Sequence, residues 1–165
     1  MTAVSRAAVE AVLATVPDPE IPVVSVMDLG LLKDVVSQAD HLEVEMLPTF
    51  SGCPALDTIR HDVLEALRAR FPDLEIEVRW VFEPAWTTDR ISEAGRQAMA
   101  GLGIAPPSAG VVMLDLGKPD AESLACPYCG SAQTRMDSAF GPTPCRSVAY
   151  CEACRNPFER FKDKG

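Results

Sequence analysis

An α+β protein with a C-terminal metal ribbon is predicted by three features of the 165-residue chain. Apolar residues recur at helical spacing in separate segments, β-prone runs fall between them, and four of the six cysteines stand as two Cys-x-x-Cys pairs near the C-terminal end. Together they give the order α-β-β-α-β plus a further helix, a small α/β sandwich with helices on one face of a short sheet, followed by the ribbon. The chain divides on this reading into a body over residues 1–117, a linker over 118–125 and a ribbon over 126–165.

From Ser5 to Val16 the residues Ala8, Val9, Val12, Leu13 and Val16 share one helical face. "PDPEIP" ends that helix, because Pro17, Pro19 and Pro22 each lack a backbone donor. A turn at Gly30 leads into strands over about 31–37 and 42–47, and the short "QAD" between them predicts a hairpin. The next helix follows "PTFSGCP" and aligns Leu56, Ile59, Val63 and Leu67, with Pro54 suited to its first position. "LEIEVRWVF" then alternates apolar and charged residues, as a half-buried strand does. A helix is expected from Asp89 to about Ala100, "GIAPPSAG" reads as a loop, and "VVMLDLG" as an edge strand.

Composition narrows the function classes. At 47% apolar residues the chain can bury a core, and its net charge is −9. The charge is uneven: residues 126–165 hold six Lys/Arg against four Asp/Glu, whereas residues 1–125 hold nine against twenty. Such a body repels a phosphate backbone, so nucleic acid is not an expected partner. Arg6 and Glu10 interrupt the N-terminal apolar run before it reaches signal-peptide length, and no run approaches a membrane span. A soluble cytoplasmic protein with no membrane partner is expected. That compartment keeps thiols reduced, so the cysteines point to metal binding or chemistry more than to disulfides.

Cys126 and Cys129, with Cys151 and Cys154, form two Cys-x-x-Cys pairs as in a four-thiolate zinc site, and the 21 residues between the pairs run one past the usual interval. A two-residue gap lets two thiolates grip one ion from a tight turn, and two such turns cross-link a segment too short to build its own core. One structural zinc ion is the favoured reading. A rubredoxin-like iron suits the same donors, and a redox role would require a separate explanation for each pair. Cys145 lies outside this set and reads as a small buried residue, with ligand exchange at the metal as the sharper alternative. Phe140, Tyr150, Phe158 and Phe161 read as a ribbon mini-core before they read as base-stacking groups.

Cys53 stands alone between Gly52 and Pro54. With Pro54 at the first helical position, Cys53 becomes the N-cap, where unpaired N–H groups and the helix dipole favour a thiolate and lower its pKa. A small capping residue without chemistry is the competing reading. Asp18, Glu20 and Asp28 flank turns that sequence alone does not position against Cys53. His41 and His61 have no ligand spacing to another His or Cys, and no Ser/His/Asp signature, P-loop or GxGxxG is present.

Several segments together resemble known families. "DPEIPVVSVMDLGLLKDV", "LPTFSGCPALDTI" and the following helix resemble the MIP18-like (DUF59) domain family, small α/β proteins associated with iron–sulfur cluster assembly and target maturation. "PAWTTDRISEAGRQAMAGLGIAPP", with "CPYCGS", "FGPTPC", "YCEAC" and "PFERFK", is similar, more narrowly, to the D-subunit family of the phenylacetyl-CoA epoxidase system. The resemblance covers nearly the whole chain. It implies a MIP18-like fold with a zinc ribbon, and a role in aerobic phenylacetate degradation beside a di-iron oxygenase and an iron–sulfur flavoprotein reductase. It makes Cys53 the counterpart of the family's reactive cysteine and Asp28 that of the DLG aspartate, both candidates for handling iron or a transient iron–sulfur cluster. The implied partners are the oxygenase or iron–sulfur reductase components, with a homodimer sharing a cluster between two Cys53 thiolates as a further arrangement.

Three function classes follow. The first is a non-enzymatic maturation factor that binds or passes iron through Cys53. The second is an interaction subunit whose ribbon scaffolds the oxygenase components. The third, a thiol oxidoreductase or hydrolase, needs a base or resolving cysteine that the residues near Cys53 do not supply.

Overall fold

The computed structural model describes residues 4–107 and 124–162. Helix α1 (Arg6–Leu13) begins at Ser5, whose hydroxyl accepts from the Ala8 N–H, and it buries Val9 and Leu13. Strands β1 (Leu32–Gln38) and β2 (His41–Met46) form the expected antiparallel hairpin, closing at the Gln38–His41 pair with Ala39 in a left-handed conformation. Helix α2 (Leu56–Arg70) crosses over to β3 (Glu75–Trp80), which lies parallel to β2, so the body sheet runs β1-β2-β3. Leu42, Val44 and Met46 alternate inward from the central strand. They join Val9 and Leu13 of α1 with Ile59, Val63 and Leu67 of α2 in one core.

Helix α1 ends at Leu13, three residues before the expected Val16, and two boundaries nearer the site also differ from expectation. Helix α2 starts at Leu56 with Ala55 as its N-cap and no side-chain cap, so Cys53 and Pro54 lie in the turn before it. That turn is held by Cys53 N–H donating to the Phe50 carbonyl (3.1 Å) and Leu56 N–H to the Cys53 carbonyl (3.4 Å). The helix expected from Asp89 is divided. A 3-10 turn over Thr88–Arg90 ends at extended, buried Ile91, and Ser92 then caps α3 (Glu93–Gly101) by accepting from Gly95 N–H. Burial of Ile91 outweighs continuity of the helix.

The segment ahead of α3 straps the turn between α1 and β1. Trp86 Nε1 donates to the Leu29 carbonyl (2.8 Å), while the Arg90 guanidinium reaches the Gly30 and Leu32 carbonyls (2.7 and 2.6 Å). Gly30 has φ +65°, and a Cβ there would strike the Arg90 backbone, so this turn requires glycine twice over.

"GIAPPSAG" is only partly a loop. Its residues Ile104–Ala105 form β4, which pairs parallel with β7 (Pro157–Phe161) of the ribbon. With β5 (Thr134–Ser138) and β6 (Arg146–Cys151) the ribbon sheet runs β4-β7-β6-β5, so one of its strands comes from the segment after α3. The predicted strand at 111–117 and residues 118–123 of the predicted linker lie outside the described residues. The aromatic residues also divide differently from the single mini-core expected. Phe158 packs in the ribbon cluster, Phe161 joins the body core, and Phe140 is 83% exposed. Among the described residues no helix is long and apolar enough to cross a membrane.

Candidate metal centre and thiol cavity

The two Cys-x-x-Cys turns of the ribbon are built alike. Gly130 N–H donates to the Cys126 carbonyl and Arg155 N–H to the Cys151 carbonyl, both at 2.8 Å, and both residues are left-handed (φ +73° and +60°). Cys126 N–H donates to Ser131 and Cys151 N–H to Asn156, at 2.9 and 3.0 Å. Each turn thus curls its two sulfurs toward the other turn. Cys126 Sγ is 3.7 Å from Cys154 Sγ, Cys129 Sγ is 3.6 Å from Cys151 Sγ, and all four lie within 4.8 Å of one another.

Those distances decide between two chemistries. A disulfide needs about 2.0 Å between sulfurs. Four thiolates around one ion at about 2.3 Å, at tetrahedral angles, lie about 3.8 Å apart. The sulfurs therefore fit a tetrahedral metal ion. Two of the four sulfurs are shifted in opposite directions. Although the Ser131 N–H favours its thiolate, burial and three neighbouring sulfurs push Cys129 up to about 12, while hydrogen bonding from Asn156 leads the effects that draw Cys154 down to about 7. A divalent cation bound by the four sulfurs favours their deprotonated form.

Two further cysteines line one cavity away from the ribbon cluster. Cys53 and Cys145 line one cavity of about 20 Å³ together with Asp18, Glu20, Thr49 and Trp80. The proline-rich turn supplies the carboxylates. Asp18 is 7% exposed, and its Oδ1 accepts from the N–H groups of Glu20 (2.9 Å) and Ile21 (2.8 Å). Burial nonetheless raises its pKa above the ordinary carboxylate range, against the pull of those two donors.

The thiolate-favouring environment expected at Cys53 is corrected by these surroundings. Burial pushes its thiol up; the Ala55 N–H opposes this, but Cys145 and the Asp18 and Glu20 carboxylates add to it. With α2 starting later than predicted, Cys53 is not the cap. Cys145 is likewise raised, first by burial, against Thr143 and Arg146.

Asp28 lies elsewhere. Its Oδ2 accepts from the N–H and hydroxyl of Ser25 (3.0 and 2.7 Å) and its Oδ1 from the Ser92 hydroxyl (2.7 Å), while Leu29, not Asp28, lines the Cys53 cavity. Burial opposes its charge, but the Ser25 and Ser92 donors prevail and lower its pKa. Neither histidine lines the cavity. Local sequence had no means of finding Cys145 there, since the only signal was a cysteine left over from the metal set.

Comparison with known proteins agrees with both halves of this architecture. Residues 6–78 match the iron–sulfur cluster assembly protein family, and residues 115–162 match the PaaD zinc beta ribbon domain. The D component of the Escherichia coli (strain K12) system named "Putative 1,2-phenylacetyl-CoA epoxidase" is 34% identical over 92% of this chain and 89% of its own length. An Fe-S protein maturation auxiliary factor of Porphyromonas gingivalis is 41% identical over 55% of this chain and 84% of its own. Among solved structures, a DUF59 domain of unknown function from Bacillus anthracis is 34% identical with a TM-score of 0.52, covering 55% of this chain and 87% of that one. With an assembly-type body, a four-cysteine ribbon and similarity along nearly its whole length, the chain belongs to the D-subunit family of the phenylacetyl-CoA epoxidase system.

Proposed function

We propose that this protein is an accessory maturation factor of the phenylacetyl-CoA epoxidase system in aerobic phenylacetate degradation. It assists assembly of an iron–sulfur or di-iron centre in a protein component of that system, and Cys53 holds the iron species in transit. The observation that carries this reading is a half-buried thiol beside two carboxylates at a small cavity, in a body related to proteins named as Fe-S maturation auxiliary factors.

The residues divide the work. Cys126, Cys129, Cys151 and Cys154 hold a structural zinc ion, which supplies the cross-link a short ribbon needs to fold. Cys53 gives up its proton when its sulfur binds iron, and the Asp18 and Glu20 carboxylates favour the approach of a cation. Asp28 acts through position, fixing the strap beside the turn whose next residue, Leu29, lines the cavity. A reducing cytoplasm is the fitting compartment, because both Cys53 and Cys145 are free thiols.

Complementation of growth on phenylacetate by Cys53→Ser and Cys126→Ser variants, with iron measured on each oxygenase-system component, tests the reading. Cys53→Ser is expected to fold and to associate with its partners while leaving a client iron-poor. Full client iron with Cys53→Ser, and loss of complex formation only with Cys126→Ser, would instead favour a non-catalytic scaffold.

A further inference from the structure

Iron handling by Cys53 leaves unexplained why the ribbon should bring a second free thiol to the same cavity. Cys145 precedes β6 directly and is held from two sides: its carbonyl accepts from Lys162 N–H (2.9 Å), and its sulfur is 3.2 Å from the Thr143 hydroxyl. Its neighbour Arg146 reaches Glu20, which also lines the cavity. Phe161 of β7, itself a lining residue, packs in the body core with its ring 6.1 Å from that of Trp86. The ribbon is thus docked so that Cys145 faces the space Cys53 faces.

We propose that Cys53 and Cys145 form one two-thiol site, shared between body and ribbon, for a thiophilic divalent iron ion. This rests on the reading of Cys53 above and extends it. The space is suited to a small guest, since about 20 Å³ holds roughly one water-sized species. Asp18 and Glu20 line the same cavity, and their carboxylates favour a cation over a neutral guest.

The site differs in kind from the ribbon cluster. Among the described residues, the four ribbon cysteines are the only group of three or more ligating side chains gathered closely enough to enclose an ion. The Cys53–Cys145 pair leaves coordination positions open to outside ligands, as temporary cargo requires and a structural ion does not. Binding replaces two S–H bonds by two Fe–S bonds and releases two protons to solvent, with no change in the oxidation state of iron. Occupancy also bridges ribbon and body, so cargo strengthens their docking.

The test uses the full chain with its ribbon already filled with zinc, titrated anaerobically with Co2+ as the probe. Wild type is expected to take up one further ion, with sulfur-to-cobalt charge-transfer absorption and two protons released. Cys53→Ser and Cys145→Ser are each expected to weaken uptake by more than about tenfold, and the double variant is expected to be little worse than either single one. Alkylation of wild type read by mass spectrometry avoids any folding defect of the variants: Co2+ should protect Cys53 and Cys145 together. If Co2+ protects Cys53 alone and Cys145→Ser binds as wild type does, the shared site is overturned while the reading of Cys53 stands. If neither thiol is protected and both variants bind as wild type does, both ideas fall.

Discussion

Arg146, the first residue of β6, joins the ribbon to the proline-rich turn of the body through Glu20. Its Nη2 lies 3.6 Å from the Glu20 carboxylate and 3.4 Å from the Glu20 carbonyl oxygen, and its Nη1 meets Glu159 at 2.5 Å. The Arg146 side chain is only 10% exposed, so removing it strands two acids beside a third, Asp18. Arg146→Ala is expected to cost about 1–3 kcal/mol, less than a fully buried pair because both glutamates remain partly exposed. Urea unfolding with a double-mutant cycle against Glu20→Ala checks this; strict additivity would rule out the coupling.

Gly103 has φ +82°, and a Cβ there would meet the Tyr128 ring of the first Cys-x-x-Cys turn, within 2.9 Å of its carbons. Gly103→Ala therefore combines backbone strain with displacement of the tyrosine, at about 1–3 kcal/mol. Pairing it with Tyr128→Ala separates the two effects, since the steric part should vanish and the backbone part persist.

Asp28 is ionised more readily in the folded chain than in the unfolded one. Its contribution is then fully present above the unfolded carboxylate value of about 3.9 and is lost as pH falls through the lower folded value. Asp28→Asn should cost about 1 kcal/mol at neutral pH, a modest figure because the group is partly exposed, and should flatten the acid limb of stability against pH. An unchanged acid limb would refute the clasp to Ser25 and Ser92.

Burial keeps Cys53 and Cys145 protonated at neutral pH in the absence of a bound cation. Their alkylation should be slow at pH 7 relative to the unfolded chain, and should accelerate as pH rises past the ordinary thiol value of 9.0. Residue-resolved alkylation rates against pH measure this directly. Rapid reaction at pH 7 would return Cys53 to the activated thiolate expected from a helix N-cap.

Removing the ribbon metal with a chelator should lower the thermal midpoint of the whole chain. The β4–β7 pairing and the burial of Phe161 in the body core pass ribbon unfolding on to the body. Circular dichroism melts before chelation, after it, and after zinc is restored should show a reversible shift. Loss confined to the ribbon, with an unmoved body transition, would contradict that coupling.

Much of the body was legible in sequence because its signals are local. The faces of α1 and α2, the alternation of β3 and the short turn of the hairpin each lie within a few residues, and each predicted its element. The start of α2 was misread because Pro54 suits a tight turn as well as a first helical residue. The break at Ile91 escaped detection because the cause is burial against the body, which helical spacing does not reveal.

The sequence by itself determined that four cysteines would stand as two Cys-x-x-Cys pairs with the pattern of a metal site, and that Cys53 stood apart from them. Tertiary structure alone decided what Cys53 faces. Its environment comes from Asp18 and Glu20 on a turn before the sheet and from Cys145 on a ribbon that takes β4 as its fourth strand. No local pattern relates residues so distant in the chain. They meet because Phe161 is buried in the body core, because β4 pairs with β7, and because Arg146 finds Glu20.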